Sequence, residues 1–200
     1  MHKEPIKLKL SFRGNRNYIY AADIAESLFN NAGVCKNIRI EFHNVADHAV
    51  KIQEIASEEL INFKKRSDVY ALMTYKDDIN ADRYMVALLD ASAELPGRID
   101  YDESTHGINA EINEKAVSSN VTSLQQAPLH AIVALNKLLL NQCVEINPWF
   151  FVKLELNEWP LKIKEVNLSI SSALGHNIYK SNISSSDKLI GNIYFYKRGE

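Results

Sequence analysis

"SFRGNRNYIYAADIAESLFNNAG", residues 11 to 33, decides how the rest of the chain is read. A basic loop with Gly14 and two tyrosines runs straight into a segment that carries Asp23 and Glu26. Ile24 and Leu28 stand four apart, and Ala21, Ala25 and Ala32 fall on or near their stripe, which is the spacing of one helix face. Gly33 is placed to stop that helix with a backbone conformation other residues avoid. The spacing therefore predicts a helix over 21–32.

Working outward, IKLKLSF (6–12) alternates Ile6, Leu8, Leu10 and Phe12 with polar residues and reads as a half-buried strand. Downstream, CKNIRIEFHNV (35–45) puts Ile38, Ile40 and Phe42 on one face and Arg39, Glu41 and His43 on the other, a second half-exposed strand. Residues 54–66 fit either a short amphipathic helix or the end of a strand followed by a polar helix. VYALMTY (69–75) and RYMVALLDA (83–91) are apolar on both faces and read as central strands joined by a polar turn. From Pro96 to about residue 122, small polar residues predict a linker or a long irregular connection. LQQAPLHAIVALNKLLLNQC (124–143) reads as a buried helix, apolar nearly all round between Leu129 and Leu140, with Pro128 tolerated in its first turn. WFFVKLEL follows Pro148 as a strand. KIKEVNLSISS (162–172) alternates Val166, Leu168 and Ile170 with polar residues. NIYKSNIS and LIGNIYFYKR are separated by SSDK, which has hairpin-turn chemistry.

Strand, helix and strands therefore occur twice, which predicts an α+β chain with halves at 1–105 and 106–200. The chain has 200 residues, 46% hydrophobic and 24% charged, enough to bury an apolar core without a disulfide or metal staple. Net charge is −2 and there is no cationic run, so nucleic acid is not an expected partner. Cys35 and Cys143 form no CxxC pair, and no apolar run approaches the ~20 residues that span a bilayer. MHKEPIKLKL lacks a signal-peptide core, so the expectation is a soluble, cytoplasmic protein.

The opening stretch resembles the 3-hydroxyacyl-acyl-carrier-protein dehydratase branch of the hot-dog superfamily. Those enzymes enter their central helix through H-F-P-G-N-P, an apolar step and P-G, and the helix carries V-E-A and ends in a glycine. Phe12, Gly14 and Asn15 match F-x-G-N; Glu26 in AES matches the helix carboxylate with one residue inserted; Ala32 and Gly33 match the helix end. DKLIGNIYF in the second half resembles the closing turn and last strand of the fold. The resemblance implies antiparallel sheets each wrapping a central helix, and with two halves a double hot-dog. It departs where the chemistry lies. Ser11 stands in place of the catalytic histidine, and Ala21-Ala22 replaces the P-G whose amide polarises the thioester carbonyl. A serine hydroxyl without a histidine beside it is too weak a base to take an α-proton at neutral pH.

Asp23 and Glu26, three apart on the helix, are either functional or structural, with Asp23 in the first turn and Glu26 paired to Arg13 or Arg16. Arg13, Gly14, Asn15, Arg16 and Lys36 suit either solvent or a phosphate of coenzyme A or of a carrier protein's phosphopantetheine. Tyr18 and Tyr20 either line an acyl tunnel or pack at the sheet–helix corner. His43, Asp47 and His48 lack metal-site spacing, and no cofactor is implied. His130, on the second helix, is either a core histidine or, by the resemblance, a base working with Glu26. Three functions compete: an acyl-thioester dehydratase or thioesterase acting on acyl carrier protein or acyl-CoA, a non-catalytic hot-dog subunit that keeps the acyl pocket or the pairing surface, and a globular interaction protein unrelated to acyl chemistry. The second would pair with itself as a homo-oligomer or with a paralogous hot-dog subunit.

Overall fold

The protein is described by a computed structural model covering residues 4–94, 96–107, 110–119, 127–161 and 163–198. Two compact units emerge, one running to Tyr101 and including Glu158–Pro160, the other formed by the described remainder from Asp102 onward.

In the first unit, β1 (Ile6–Lys7), β2 (Phe12–Arg13), α1 (Ala21–Ala32), β3 (Cys35–Phe42), β4 (Val50–Ile55), α2 (Leu60–Phe63), β5 (Val69–Lys76), β6 (Asp82–Leu89) and β7 (Arg98–Ile99) follow in chain order. The sheet runs β1-β4-β6-β5-β3 with every pairing antiparallel. α1 spans the residues that the Ile24–Leu28 stripe predicts and packs on β3 and β6. It buries Ala22, Ile24, Ala25, Leu28 and Phe29, and Phe29 stacks on Trp159 with ring centroids 4.5 Å apart. Gly33 closes the helix at φ 72°, ψ −140°, donating its N–H to Phe29 O at 2.9 Å. That backbone region favours glycine. On β3, Ile38 and Ile40 are buried while Arg39 is exposed, as the alternation demands.

One expectation for this unit is corrected, and one open alternative is decided. Only Ile6–Lys7 of the 6–12 strand pairs with β4. Beyond Leu8, whose N–H donates to Val50 O, the chain leaves the edge so that Phe12 and Arg13 can pair in parallel with Arg98 and Ile99. At 54–66 the strand-then-helix alternative is the one realised: β4 ends at Ile55, a 3₁₀ turn covers Ser57–Glu59, and α2 follows. Glu59 accepts the Ala56 N–H at 2.9 Å, which starts that turn.

In the second unit, β8 (Glu111–Asn113), β9 (Ala116–Ser119), β10 (Trp149–Trp159, its last two residues counted with the first unit), β11 (Val166–Leu174), β12 (Ile178–Ser185) and β13 (Lys188–Lys197) form an antiparallel sheet ordered β10-β13-β12-β11-β9-β8, with α3 (Pro128–Cys143) between β9 and β10 in the chain. α3 packs on β9 and β11. The stretch read as a linker therefore contains β7, β8 and β9, with β9 paired to β11. Short polar strands at a sheet edge carry too few apolar residues to show a period. Residues 124–126 of the predicted helix lie outside the described residues; Pro128 opens α3 where its missing N–H costs nothing. The SSDK turn is a two-residue loop with Ser186 at φ 47° and Asp187 at φ 62°, the signature of a type I′ hairpin. On β13, a Cβ on Gly191 would lie 2.2 Å from Glu155 O, so only glycine lets these backbones meet.

Candidate functional site

The RGN loop is a tight turn. Arg16 N–H donates to Arg13 O at 3.2 Å, and Gly14 sits at φ 56° with space for a Cβ only 3.1 Å from Tyr101 O. Strand β7 fixes it from outside: Phe12 N–H donates to Gly97 O at 2.8 Å and Gly14 N–H to Ile99 O at 2.9 Å. The Arg98 guanidinium donates to Arg16 O at 2.8 Å and also to Gly14 O. The Gly14 amide is thus engaged within the fold, and any anion here would meet side chains.

This turn aims Arg13 at α1. Its Nε donates to Asp23 Oδ2 at 2.7 Å and its Nη2 to Asp23 Oδ1 at 2.6 Å, a fork-to-fork pair. Asp23 is only 9% exposed. The hydrogen bond to Asp23 raises the Arg13 pKa, burial opposes that, and the Glu26 charge adds to the rise. Glu26 is half-buried, with Oε1 out of reach of solvent. Of the two arginines that sequence reasoning offered to Glu26, Arg13 pairs with Asp23.

Aromatic rings complete the cluster. The Arg13 guanidinium lies 4.8 Å from the Tyr101 ring centre, and that of Arg16 lies 5.0 Å from Tyr20 and 5.6 Å from Tyr101. Tyr20, the residue before α1, is buried with its ring centre 5.7 Å from that of Tyr101. Asn15 is exposed and Tyr18 half-buried, and neither makes a side-chain hydrogen bond among the described residues. The structure therefore brings Arg13, Arg16, Tyr20 and Asp23 together and leaves Asn15 and Tyr18 at the margin. Arg98 and Tyr101 were missed by sequence reasoning. Arg98 meets Gly14 across 84 residues, and nothing local in GRIDY announces that register.

His130 belongs to the second unit, in the first turn of α3, and is 3% exposed. His106, 8% exposed, places its ring centre 6.5 Å away. Lys137 and Glu103 join the same two segments with an ion pair at 2.9 Å. Asn136, fully buried on α3, has no hydrogen-bond partner for Oδ1 or Nδ2 among the described residues. Its only sequence signal is a lone amide inside ALNKLLL.

The Cys35 thiol is a poor nucleophile. Burial pushes Cys35 up to about 11, and Cys143 Sγ donates to Glu114 O at 2.6 Å. His48 Nδ1 sits 2.8 Å from Asp47 Oδ1 on the surface, while His43 is exposed. Among the described residues no helix is long and apolar enough to cross a membrane.

No protein-family model matches the sequence, and no curated protein matches it either. Solved structures do. The tesB protein of Mycobacterium avium subsp. paratuberculosis superposes with a TM-score of 0.53 at 10% identity, covering 95% of this chain and 91% of that one. An acyl-ACP thioesterase from Bacteroides thetaiotaomicron gives 0.48 at 8% identity over 98% and 97% of the two chains. A conserved hot-dog-fold protein of Alicyclobacillus acidocaldarius gives 0.45 at 10% identity over 97% and 92%. At such identities the likeness is one of fold. With long helices packed on antiparallel strands, that fold is α+β and hot-dog-like.

Proposed function

We propose that the chain is a double hot-dog protein, with units at 1–105 and 106–200, whose first unit binds an acyl thioester without turning it over. The observation that carries this reading is the two-pronged Arg13–Asp23 pair. A carboxylate used as a general acid or base must exchange protons near neutral pH, and the bidentate guanidinium opposes protonation of Asp23, which leaves Glu26 as the one helix carboxylate for such work. Ser11, where the resembled enzymes keep their histidine, supplies no base. What remains is a cationic and aromatic surface: Arg16 and Arg98 for phosphate groups of acyl-CoA or an acyl carrier protein's pantetheine, and half-buried Tyr101, backed by buried Tyr20, for apolar contact. Activity would then reside in a paralogous hot-dog subunit, or the protein would act as a homo-oligomeric acyl binder.

Calorimetry with 3-hydroxydecanoyl-CoA, followed by chromatography of the same mixture, tests this. Binding with the thioester recovered intact is expected, and Arg16→Ala with Arg98→Ala should weaken it. Dehydration or hydrolysis by the wild-type protein would overturn the reading. Ser11→His, restoring a base, should raise turnover from background by ~10²-fold, the low end for general-base catalysis. Glu26→Gln in that background should remove it.

The buried His106–His130 pair favours a second reading, in which a general base on α3 gives the second unit an activity of its own. Wild-type turnover abolished by His130→Gln and untouched by Glu26→Gln would select it.

A further inference from the structure

At the other end of α1 from the Arg13–Asp23 pair, the first unit opens a groove of about 830 Å³ beside Asn31 and Ala32. Its lining is strongly acidic: Glu4, Glu54, Glu58, Glu59 and Asp77 face it together with one guanidinium, Arg83. Arg83 pairs with Asp77 at 2.8 Å and reaches Glu54 at 3.8 Å, so its charge is already engaged. Among the described residues Glu58 accepts only a neutral hydroxyl, Ser57 Oγ at 3.1 Å, and Glu59 accepts the Ala56 N–H. The last turn of α1 carries no basic residue, so its carbonyl ends add partial negative charge to the same space. Buried Ile52, Ile55 and Met85 with exposed Ile6 supply an apolar strip along the groove.

Acidic side chains alone make a solvated face, but Tyr75 sets this groove apart. It lines the groove, is 7% exposed, and its hydroxyl makes no hydrogen bond among the described residues. A polar group that no protein atom meets is left to solvent or to a ligand. Burial first, then the charge of Glu54, pushes this phenol up to about 12, so it stays neutral at neutral pH, able both to donate its O–H and to accept. A neutral phenol beside carboxylates accepts best from a cationic N–H donor.

We infer that the groove is a binding site for a linear polyamine, with ammonium groups set against Glu4, Glu54 and Glu58, methylenes over Ile6 and Met85, and one N–H donated to the Tyr75 hydroxyl. The volume lies in the range of small-ligand sites. The inference is independent of the acyl reading, since none of these residues belongs to the Arg13–Tyr101 cluster.

Titration calorimetry with spermidine at low ionic strength is the test. Wild-type protein should bind it, more weakly as salt is added. Tyr75→Phe keeps the ring and its packing but loses the hydroxyl; affinity should fall about tenfold, as for one hydrogen bond to a charged group. Glu58→Gln, an exposed position, should also weaken binding, while Glu145→Gln in the second unit should not. The inference is overturned by any of three results: no heat at about 1 mM spermidine, weaker than any useful site; equal affinity of wild type and Tyr75→Phe; or binding of a trilysine peptide but not of spermidine, which would assign the face to a peptide.

Discussion

The two long helices bury polar side chains in opposite ways. On α1, Asp23 is almost out of solvent and both its oxygens meet the Arg13 fork. On α3, Asn136 is fully out of solvent and neither of its polar atoms has a partner among the described residues; Ser181 Oγ on β12 is in the same condition. Both residues interrupt an apolar stripe, and from sequence they look alike. The difference teaches that a buried polar residue is read from what meets it: Asp23 is a fastener between the RGN loop and the helix, whereas Asn136 has no such structural account.

The largest effect expected from that contrast is at the fastener. Asp23→Ala would leave the Arg13 guanidinium half-buried without its counter-charge and should destabilise the protein by about 3 kcal/mol in urea unfolding. Replacing both partners, Arg13→Met with Asp23→Leu, should recover more than half of that loss, because the desolvation cost of both ions goes with them. A loss under about 1 kcal/mol for Asp23→Ala would mean the pair behaves as a surface ion pair, and the contrast between the helices would collapse.

A second effect separates the units by pH. In the first unit burial pushes Cys35 up to about 11 and Tyr70 and Tyr75 each up to about 12. Folded, these groups hold protons that the unfolded chain releases from about pH 9 upward, the ordinary thiol range. The folded state then binds more protons, so stability is flat below about pH 9 and falls as pH rises toward 12. Trp159 stacks on Phe29 in the first unit and Trp149 lies edge-on to Tyr179 in the second, so the two single-tryptophan variants report each unit. Melting followed through Trp159 should drop on the order of 5 °C by pH 11. A Trp159 midpoint that ignores pH would show that the three acids are solvated.

How far this was legible follows the range of the interactions. α1 could be read because its stripe and its stop at Gly33 are local, and the Ser186–Asp187 turn because a type I′ loop declares itself in two residues. β4 was not, since Val50 and Ile52 alternate only once before Glu54 breaks the pattern. The Arg13–Asp23 partnership was half legible: the loop cation and helix carboxylates were visible, but helix phase alone does not choose between Asp23 and Glu26. Arg98 and Tyr101 were invisible because their role depends on a parallel pairing of two short strands far apart in sequence. Gly14→Ala probes that pairing. It forces a side chain into positive φ and against Tyr101 O, and should cost about 1–2 kcal/mol, the strain of that conformation for an L-residue.

The smallest expected effect says most about α3. Asn136→Leu replaces an amide by an apolar side chain of similar size at a site with no exposure. If Oδ1 and Nδ2 are as poorly met as the described residues indicate, removing them ends a desolvation cost and stabilises the protein by about 1 kcal/mol. Asn136→Ala gains the same relief but loses packing volume, so it should fall below Leu. The pair of variants therefore separates polarity from size. A loss of 2 kcal/mol or more for Asn136→Leu would show that the amide is held by strong hydrogen bonds, making α3 as well fastened as α1. Stabilisation by Leu would instead leave Asn136 as a residue kept against the fold's own preference, and the acyl-CoA titration repeated with Asn136→Leu would show whether ligand binding is the reason.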